Sequence, residues 1–361
     1  MELKIKALTL KEMVTRAAKG ASCNKLLPIT GLMAIELKKN VLTITTTDAT
    51  NYLYIKQDKV EGDDFYVVVE VDKFSKLIAR MTCETITLTL KDSSLEVKGN
   101  GTYNIALPLD EEGNVIKYPD PLVDVKLKGE GKQIHLSTIQ TILNSIKPAL
   151  AVTLEIPCYT GYYLGDTVMA TDTYKISSMN TKLVDEPMLV SAETMNLLAV
   201  MTSENINLDV FDNVIVFTSP DCAVYSTKME GLEDYNPEGI AKVLEMECPS
   251  NCKISKNALV QLLDRVLLFV SQYDKNSIHL TFTKEGLQIS SKTENGVEII
   301  PYMESKKFKE FTCDIDIAMF LSQVKAHATD VIELHYGSDK FVKMVDGNIT
   351  HLIALFEEVE E

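Results

Sequence analysis

The chain has 361 residues, of which 45% are apolar and 24% are charged, and its formal net charge at pH 7 is −16. This length predicts two or three domains with an ample core. The strong negative charge disfavours a general basic DNA-binding protein, although a protein that holds DNA by topology needs only a local basic lining. No apolar run approaches the ~20 residues of a membrane span.

The N-terminus and the cysteines indicate a soluble, cytoplasmic protein. Met1–Lys6 alternates like a β-strand and lacks the apolar segment of a signal peptide. The seven cysteines are an odd number, scattered along the chain, which is typical of reduced thiols. Only Cys248 and Cys252 lie close in sequence, and no second pair of Cys or His stands nearby to complete a zinc site. We therefore expect no metal and no other cofactor.

Each third of the chain begins with a predicted amphipathic helix. Thr9–Glu12 and Ser137–Gln140 match the capping-box pattern, and Ser255 is a candidate N-cap. Apolar residues follow these positions at helical spacing. The three stripes are Leu10, Met13, Val14 and Ala17; Ile139, Ile142, Leu143 and Ile146; and Ala258, Leu259, Leu262, Leu263 and Val266.

A pair of strands joined by a polar turn follows each of these helices, and a second amphipathic helix comes next. The predicted strand pairs are Leu32–Leu37 with Val41–Thr46, Gly161–Leu164 with Thr167–Met169, and Ile278–Thr283 with Leu287–Ser291. The second helices are predicted over Asp72–Met81, Ser191–Met201 and Asp316–Ala326.

A predicted β-hairpin closes each third. The first strands alternate strictly between apolar and polar residues, which is typical of half-buried antiparallel strands. They are Glu84–Leu90, Glu204–Val210 and Asp330–Tyr336. Each turn is made of Asp, Asn, Ser or Gly. The equivalent isoleucines, Ile86, Ile206 and Ile332, give the repeat a period of about 120 residues.

These patterns predict an α+β fold of three repeated domains, 1–121, 122–247 and 248–361, each with two amphipathic helices and antiparallel sheets. The boundaries fall at the turn-rich segments Pro119–Pro121 and Cys248–Pro249. Three such domains in line form an arc, and arcs close into rings when subunits join head to tail. The acidic end, Glu357–Glu361, is predicted to be a solvated tail.

A short motif occurs twice, in Thr46–Thr50 and in Ala170–Ile176, each time after a predicted strand. Asp48 and Asp172 hold equivalent positions in separate repeats, so we interpret them as stabilising the same turn twice, and not as a catalytic pair. One hypothesis is that the second copy is only a strand-ending turn. The other is that its additional Tyr174, Lys175 and Ile176 carry a function.

An enzyme is not indicated by the sequence. The five histidines are dispersed at positions 135, 279, 327, 335 and 351, and none has the spacing of a metal site or a catalytic triad. No phosphate-binding or dinucleotide-binding glycine motif is present. A hydrolase on a repeated α+β scaffold is retained only as a minor alternative.

Two pairs of motifs occur in order along the chain, Leu27–Gly31 followed by Thr47-Asp48, and Pro157–Gly161 followed by Ala170–Ile176. In these motifs the chain resembles the bacterial-type DNA polymerase III β subunit, the DNA sliding clamp, and the resemblance extends over essentially its full length. The order of the motifs, together with the period of the repeat and the three-domain length, carries the resemblance. The residues between them diverge in many places, as in a phage or prophage member of the family.

The resemblance implies the DNA-clamp fold, assembled as a head-to-tail homodimeric ring with helices lining a central hole. It implies a processivity factor without catalytic activity or cofactor. The implied partners are double-stranded DNA bound without sequence preference, the replicative DNA polymerase, the clamp loader and a second copy of the chain, with no membrane.

The resemblance also implies a pocket that receives a short partner peptide by apolar anchors. The matching positions are Tyr159, Thr171, Thr173, Tyr174, Lys175, Ile176, Pro237, Lys242, Val243, Leu352, Ile353, Ala354 and Phe356. Lys175 stands where the family commonly has Arg, and Tyr174 where it often has His. Asn236–Gly239 is predicted to be a rearranged loop, and the C-terminal strand His351–Phe356 lacks the family's usual Pro.

Two further sets of residues are expected from the resemblance. Basic residues predicted to line the DNA are Lys11, Arg16, Lys19, Lys25, Lys73, Lys76, Arg80, Lys147, Lys256, Arg265 and Lys325. Residues predicted at the dimer contact are Tyr103 and Ile105 on one side and Phe269 and Val270 on the other.

The predicted basic lining is thin. The family's basic position at the start of the second helix of the first domain falls on Asp72, and Ser191–Met201 contains no base. This leaves an alternative function open, in which a clamp-fold protein serves as an adaptor or decoy for clamp-binding peptides without encircling DNA.

Overall fold

The structure is a computed structural model, and it describes residues 1–22, 24–110, 112–121, 131–271, 273, 276–292 and 295–356. The chain divides into two compact units, the first from Met1–Ile139 with Glu193–Lys228 and the second from Gln140–Ala192 with Met229–Glu361. The predicted middle domain, 122–247, contributes to both units, and the division into three domains stays a prediction. The predicted acidic tail, Glu357–Glu361, lies outside the described residues.

The described residues form four antiparallel sheets. The strands of the first half are β1 (Glu2–Lys6), β2 (Leu32–Lys38), β3 (Val41–Thr47), β4 (Asn51–Gln57), β5 (Glu61–Gly62), β6 (Phe65–Glu70), β7 (Thr85–Leu90), β8 (Ser94–Lys98), β9 (Thr102–Ala106), β10 (Lys132–His135), β11 (Gly161–Leu164), β12 (Val168–Thr171) and β13 (Lys175–Met179). Those of the second half are β14 (Met188–Ser191), β15 (Asn205–Val210), β16 (Val214–Ser219), β17 (Cys222–Thr227), β18 (Ser250–Ser255), β19 (Ser277–Phe282), β20 (Leu287–Ser291), β21 (Val297–Ile300), β22 (Glu304–Lys306), β23 (Phe311–Asp316), β24 (Val331–Tyr336), β25 (Phe341–Asp346) and β26 (Ile349–Ala354).

Two sheets belong to the first unit, with the strand orders β5-β1-β7-β8-β9 and β10-β15-β16-β17-β4-β3-β2-β6. In the larger sheet β17 pairs with β4, with Val224 opposite Leu53. Strands from the first and the middle third of the chain therefore share one sheet. This pairing explains why part of the middle third groups with the first.

Two further sheets belong to the second unit, with the orders β14-β11-β12-β13-β26-β25-β24-β18-β22 and β21-β20-β19-β23. Here β13 pairs with β26, with Ser177 opposite His351. The remaining part of the middle third is thus joined to the last third by strand pairing. Both faces of β25 and β26 are buried in apolar clusters.

The helices of the described residues pack their apolar stripes against these sheets. They are α1 (Ala7–Ala17), α2 (Val71–Ala79), α3 (Leu136–Thr141), α4 (Ala192–Leu198), α5 (Pro237–Glu245), α6 (Lys256–Val266) and α7 (Ile317–Ala326). α3 continues as a π-helical turn, Ile142–Ile146. The predicted stripes of α1 and α6 are buried except for Ala258, which confirms the 3.6-residue spacing. No helix in the described part of the chain is long and apolar enough to span a membrane.

The two predicted capping boxes are wrong. α1 begins at Ala7 and its N-cap, Lys6, makes no side-chain hydrogen bond, so Thr9 lies inside the first turn. α3 begins at Leu136, so Ser137 also lies within the helix. In both cases a strand runs directly into the helix, which leaves no separate capping residue. Ser255 is confirmed as the N-cap of α6, since its side chain accepts a hydrogen bond from Ala258 N.

Candidate functional site

The turn between β12 and β13 is held by its own side chains. Thr171 Oγ1 donates to Lys175 O at 2.8 Å and accepts from Thr173 N at 3.0 Å. Asp172 Oδ1 accepts from the backbone N–H groups of Tyr174 at 3.0 Å and Lys175 at 2.8 Å. Thr173 has a φ of 80°, in the left-handed region that a residue with a side chain rarely adopts. The four hydrogen bonds stabilise this tight conformation.

The turn between β3 and β4 has the same hydrogen bonds. Thr47 Oγ1 donates to Asn51 O at 2.5 Å and accepts from Ala49 N at 3.0 Å. Asp48 Oδ1 accepts from Thr50 N at 2.9 Å and Asn51 N at 2.7 Å. Ala49 has a φ of 88°. The interpretation of the repeated Thr-Asp pair as a turn-forming device is confirmed, so a function particular to the second turn must come from the residues that differ.

Tyr174 and Lys175, two of the residues particular to the second turn, differ in exposure. The side chain of Tyr174 is 63% exposed. The side chain of Lys175 is 14% exposed, and its Nζ lies 3.2 Å from Asp172 Oδ2. The charge of Lys175 is therefore already paired within the turn, and Tyr174 is the residue presented to solvent.

The pairing of β13 with β26 brings several predicted pocket residues together. Ile176 lies opposite Leu352, and both side chains belong to one apolar cluster. Tyr174 O accepts from Ala354 N at 2.7 Å, so the turn is joined to the end of β26. Ile353 points to the opposite face of the strand, because successive strand residues alternate between faces. It belongs to the apolar core around α6 and α7. Ile353 therefore does not line the same surface as Leu352.

Three tyrosines form the centre of this apolar cluster, which we call the tyrosine cluster. The ring of Tyr235 lies 5.2 Å from the ring of Tyr159, edge-on, and 5.2 Å from the ring of Tyr163, stacked. The other buried members are Cys158, Met169, Ile176, Leu189, Ile240, Phe341 and Leu352, with Met229, Leu232, Val243, Leu244 and Cys248 partly buried at its edge. Sequence reasoning found Tyr159 and missed Tyr163 and Tyr235.

Tyr235 is buried without a hydrogen-bond partner for its hydroxyl group among the described residues. Burial raises the pKa of this hydroxyl far above its ordinary value. Tyr235 is therefore a neutral, apolar-packed centre of the cluster and cannot act as a base.

Helix α5 packs Ile240, Val243 and Leu244 against the tyrosine cluster. Lys242 is exposed, as is expected for a residue on the outer face of an amphipathic helix. The predicted pocket residues Val243 and Lys242 thus lie on different faces of one helix. Val243 contacts the cluster and Lys242 faces water.

The prediction of a rearranged loop at Asn236–Gly239 is wrong, because this segment begins α5. The side chain of Asn236 is the N-cap and accepts from Gly239 N at 2.9 Å. Pro237, a predicted pocket residue, occupies the first turn of the helix. Asn followed by Pro is a helix-start signal, because Asn caps the free N–H groups and Pro already has a helical φ. The signal was present in the sequence.

Lys343 connects α5 to the sheet beneath it. Its Nζ donates to Leu244 O at 2.7 Å and to Met246 O at 2.6 Å, at the end of α5. Only 9% of Lys343 is exposed. A buried ammonium group at the C-terminal carbonyls satisfies them and interacts favourably with the negative end of the helix. Sequence reasoning missed Lys343, although it is the one base in the otherwise apolar run Phe341–Val345, which was the available signal.

The C-terminal residues predicted for the pocket do not all lie on one surface. Phe356 is partly exposed, and its N donates to Asp314 O at 3.0 Å. Leu355 packs against the same cluster as Ile353. Of the C-terminal residues predicted for the pocket, Leu352 is the one that belongs to the tyrosine cluster.

The predicted DNA-lining residues fall into those that form ion pairs within the protein and those that do not. Four form ion pairs, Arg16 with Asp221 at 2.7 Å, Lys76 with Asp72 at 2.6 Å, Arg265 with Glu298 at 2.6 Å and Lys325 with Asp264 at 3.1 Å. Within the described ranges Lys11, Lys19, Lys25, Lys73 and Arg80 form no ion pair. All five of these belong to the first unit. Lys147 is exposed, in the second unit.

Arg16 and Lys256 have structural partners. Arg16 Nε donates to Val200 O at 2.9 Å in addition to the ion pair with Asp221, and its side chain is 14% exposed. Lys256 Nζ donates to the carbonyl of His327. Both side chains are therefore engaged within their own units.

The predicted dimer residues lie at or near two unpaired sheet edges. β9 and β21 are terminal strands of the five-stranded and the four-stranded sheet. Tyr103 on β9 is 41% exposed, whereas Ile105 is 3% exposed and belongs to the core of its own unit. Phe269 is 53% exposed, and Val270 packs against the core of the second unit. Further exposed apolar residues in this region are Leu268 and, on β21, Val297 and Ile299.

Two buried histidines lie near β13 in the second unit. His351 Nδ1 is 2.8 Å from Ser177 Oγ, and the rings of His351 and His327 are 6.2 Å apart. Burial lowers the pKa of His351 to about 4 and also lowers that of His327. Across the residues that the structure describes, no group of three His, Cys, Asp or Glu side chains is placed to hold a metal ion.

No protein-family model matches the chain, and no curated protein matches it. Solved structures do match. They include the β subunit of the DNA polymerase of Streptococcus pyogenes (14% identity, TM-score 0.87), the DNA polymerase sliding clamp of Bacillus subtilis (16%, 0.86) and DNA polymerase III subunit beta of Borrelia burgdorferi (18%, 0.86). Each alignment covers 99% of this chain and 100% of the other.

The chain therefore has an α+β fold of the DNA-clamp type. More particularly, it has the fold of the bacterial DNA polymerase III β sliding clamps over its full length, which confirms the predicted fold. At these identities the likeness establishes the fold alone.

Proposed function

We propose that this chain is a subunit of a DNA sliding clamp. In this proposal two copies join head to tail into a ring that encircles duplex DNA and tethers the replicative polymerase, without catalysis, in the cytoplasm. The observation that carries the proposal is the likeness to sliding clamps in fold over 99% of the chain. A clamp loader would open the ring.

The unpaired edges of β9 and β21 support the head-to-tail assembly. Each strand ends a sheet, and exposed apolar side chains lie on or near both of them. An unpaired strand edge is a template for pairing with another chain. Pairing of β9 with β21 of a second copy would cover both edges, and repetition of the same contact closes a ring.

The tyrosine cluster supports a pocket for a partner peptide. We propose that Tyr159, Tyr174 and Val243 contact the apolar anchors of the peptide. The buried side chains of Ile176, Leu352, Tyr163, Tyr235 and Phe341 would lie beneath them. Thr171, Thr173 and Lys175 would shape the turn, and Pro237 and Lys242 would form the rim. Ala354, Phe356 and Ile353 would hold the end of β26 in place.

The five unpaired bases of the first unit support contact with the DNA backbone. Lys11, Lys19, Lys25, Lys73 and Arg80 offer positive charge that is not used within the protein, and Lys147 is exposed in the second unit. Phosphate contacts of this kind are independent of sequence and sensitive to salt. The predicted lining is thereby reduced to fewer effective residues than the eleven expected.

The four ion-paired bases favour one alternative function, an adaptor or decoy that binds clamp-binding peptides without encircling DNA. Arg16, Lys76, Arg265 and Lys325 are each paired with a carboxylate, and the chain carries a net charge of −16. Both features weaken attraction to DNA.

A topology experiment separates the two functions. The purified protein is incubated at high concentration with nicked circular plasmid, and bound protein is measured before and after the plasmid is linearised. A clamp stays on the circle and slides off the linear form, and its molar mass in solution is that of a dimer. A monomer, or equal retention on both forms of the plasmid, would contradict the clamp.

A peptide experiment tests the pocket. Tyr174→Ala should weaken the binding of a polymerase-derived peptide about tenfold, because removal of an aromatic anchor contact costs ~1.4 kcal/mol or more. Tyr273→Ala is the matched control, since Tyr273 is a fully exposed tyrosine outside the tyrosine cluster. Equal affinities for the two variants would contradict the assignment.

A further inference from the structure

The segment that covers one side of the tyrosine cluster is strongly acidic. Between Met229 and Glu247 it carries six carboxylates, those of Glu230, Glu233, Asp234, Glu238, Glu245 and Glu247, and one base, Lys242. All seven side chains are exposed. In the described part of the chain none of them takes part in an ion pair. We call the six carboxylates the acidic rim.

The acidic rim adjoins the tyrosine cluster, on which the proposed pocket rests. Its residues alternate in sequence with Leu232, Tyr235, Ile240, Val243 and Leu244, which belong to the tyrosine cluster or pack against it. Burial first, and then the carboxylates of Asp234 and Glu233, raise the pKa of the Cys158 thiol.

The bases that contact the cluster do not offset the rim. Lys175 is paired with Asp172 at 3.2 Å inside the turn. Lys343 is buried and donates to the last carbonyls of α5, so its charge serves the end of the helix. Lys242 is the one exposed base of the segment, against six carboxylates.

We propose that the occupant of this pocket is a peptide with aliphatic or aromatic anchors flanked by Lys or Arg residues, with the basic flank lying along α5. This inference rests on the proposed peptide pocket, and it further specifies that the flanks of the bound peptide are positively charged. Exposed charges of opposite sign raise the association rate and select the partner, and salt screens them. A peptide with acidic flanks and the same anchors is repelled by the rim.

Two synthetic peptides test the proposal. They share one Leu-Phe anchor and differ in flanks of three Lys or three Glu, and their affinity is measured by fluorescence anisotropy with the full-length protein. At low salt the Lys-flanked peptide should bind at least tenfold more tightly, and the difference should shrink as the salt concentration rises. Equal affinities at low salt overturn the inference while leaving the pocket in place.

A set of variants assigns the effect to the rim. Glu238→Gln with Glu245→Gln and Glu247→Gln should weaken the Lys-flanked peptide about tenfold and strengthen the Glu-flanked one. The control makes the same change of net charge elsewhere, with Glu186→Gln, Glu285→Gln and Glu310→Gln, three other exposed carboxylates. Equal effects of the two triple variants overturn the assignment, since only overall charge then matters.

Failure of the pocket itself gives a different result. If neither peptide binds at any salt concentration, the proposed pocket is wrong and the inference falls with it. Thermal unfolding of every variant establishes that each is folded at the temperature of the measurement.

Discussion

Asp48 and Asp172 each supply hydrogen-bond acceptors for backbone N–H groups in a tight turn. Each carboxylate accepts two backbone N–H groups that would otherwise lack an acceptor within the turn. Hydrogen bonds to a charged acceptor are stronger than neutral ones. The two residues are therefore expected to contribute similar stability although they serve separate units.

Substitution of these aspartates tests the separation of structure from function. Asp48→Ala and Asp172→Ala should each lower the free energy of unfolding by about 1–3 kcal/mol, because two N–H groups lose their acceptor. Only Asp172→Ala should also weaken the partner peptide, since it frees Lys175 and displaces Tyr174. Denaturant unfolding and peptide titration measure the two effects. A loss of peptide affinity in Asp48→Ala as well would count against this separation.

Lys343 is expected to matter more than an ordinary surface lysine. Lys343→Met should lower the free energy of unfolding by about 1–3 kcal/mol, because the carbonyls of Leu244 and Met246 lose a charged donor. Lys253→Met is the control, since Lys253 forms a half-exposed ion pair with Glu304 and such pairs contribute about 1 kcal/mol or less. Equal losses in the two variants would show that α5 does not depend on this contact.

His351 predicts a particular dependence of stability on pH. Its pKa in the folded chain is about 4, against an ordinary value of 6.5. Between these two pH values His351 is protonated in the unfolded chain and neutral in the folded chain. Stability is complete above about pH 6.5 and falls by up to about 3 kcal/mol as the pH drops to 4. The variant His351→Gln should show a shallower fall. Identical pH profiles for the two proteins would exclude His351 as the cause.

At the scale of elements, the sheet edges at β9 and β21 have no pairing strand within the described residues of a single chain. Ile105 illustrates the distinction, because it lies on an edge strand and yet is buried in its own unit. Its replacement would create a cavity whether or not chains associate. Phe269 is instead exposed, so its contribution to the stability of one chain is small.

Phe269→Asp should therefore block association while leaving the fold intact, because a buried charge without a partner is unfavourable in an interface. Sedimentation should give the mass of one chain for this variant and of two for the unchanged protein. Leu154→Asp, at another exposed apolar residue, is the control and should remain a dimer. A dimeric Phe269→Asp variant would place the contact elsewhere.

The sequence predicted elements well where a pattern is local. The alternation of Ile86, Leu88 and Leu90 was sufficient for a strand, and the buried stripe of α6 was sufficient for a helix. The start of α5 was missed, although Asn236-Pro237 carries the signal, because the family resemblance suggested a loop there. The starts of α1 and α3 were misplaced, because Thr9 and Ser137 fit a cap but the preceding strands continue into the helices.

The candidate site was predicted only in part, for a related reason. Tyr159 and Ile176 lie within the motifs on which the resemblance rests. Tyr235, Phe341 and Lys343 come from segments far away in sequence and reach this region only through packing. No periodicity within one segment indicates such a meeting. Likewise, Arg16 was predicted to line the DNA because its ion-pair partner, Asp221, is far away in sequence and could not be identified from it.

At the scale of the whole molecule, the net charge of −16 means that the proposed clamp would hold DNA by encircling it and not by electrostatic attraction. We predict that protein trapped on circular DNA survives an increase in salt from about 0.1 M to about 0.5 M. Binding to linear DNA through about five phosphate contacts should instead weaken by roughly three orders of magnitude. Retention by filter binding on both DNA forms measures this. An equally steep loss from the circle would indicate simple electrostatic binding.

The pairing of β13 with β26 also sets an order in time. Ser177 on β13 and His351 on β26 are separated by 174 positions in the chain. During synthesis the N-terminal part of the chain emerges first, and long-range pairing of this kind forms slowly. The turn that presents Tyr174 therefore exists long before the strand beside it, and the tyrosine cluster is complete only after Leu352 has left the ribosome. If the cluster binds a partner peptide as proposed, a nascent chain is unable to recruit that partner through it before Leu352 has been synthesised.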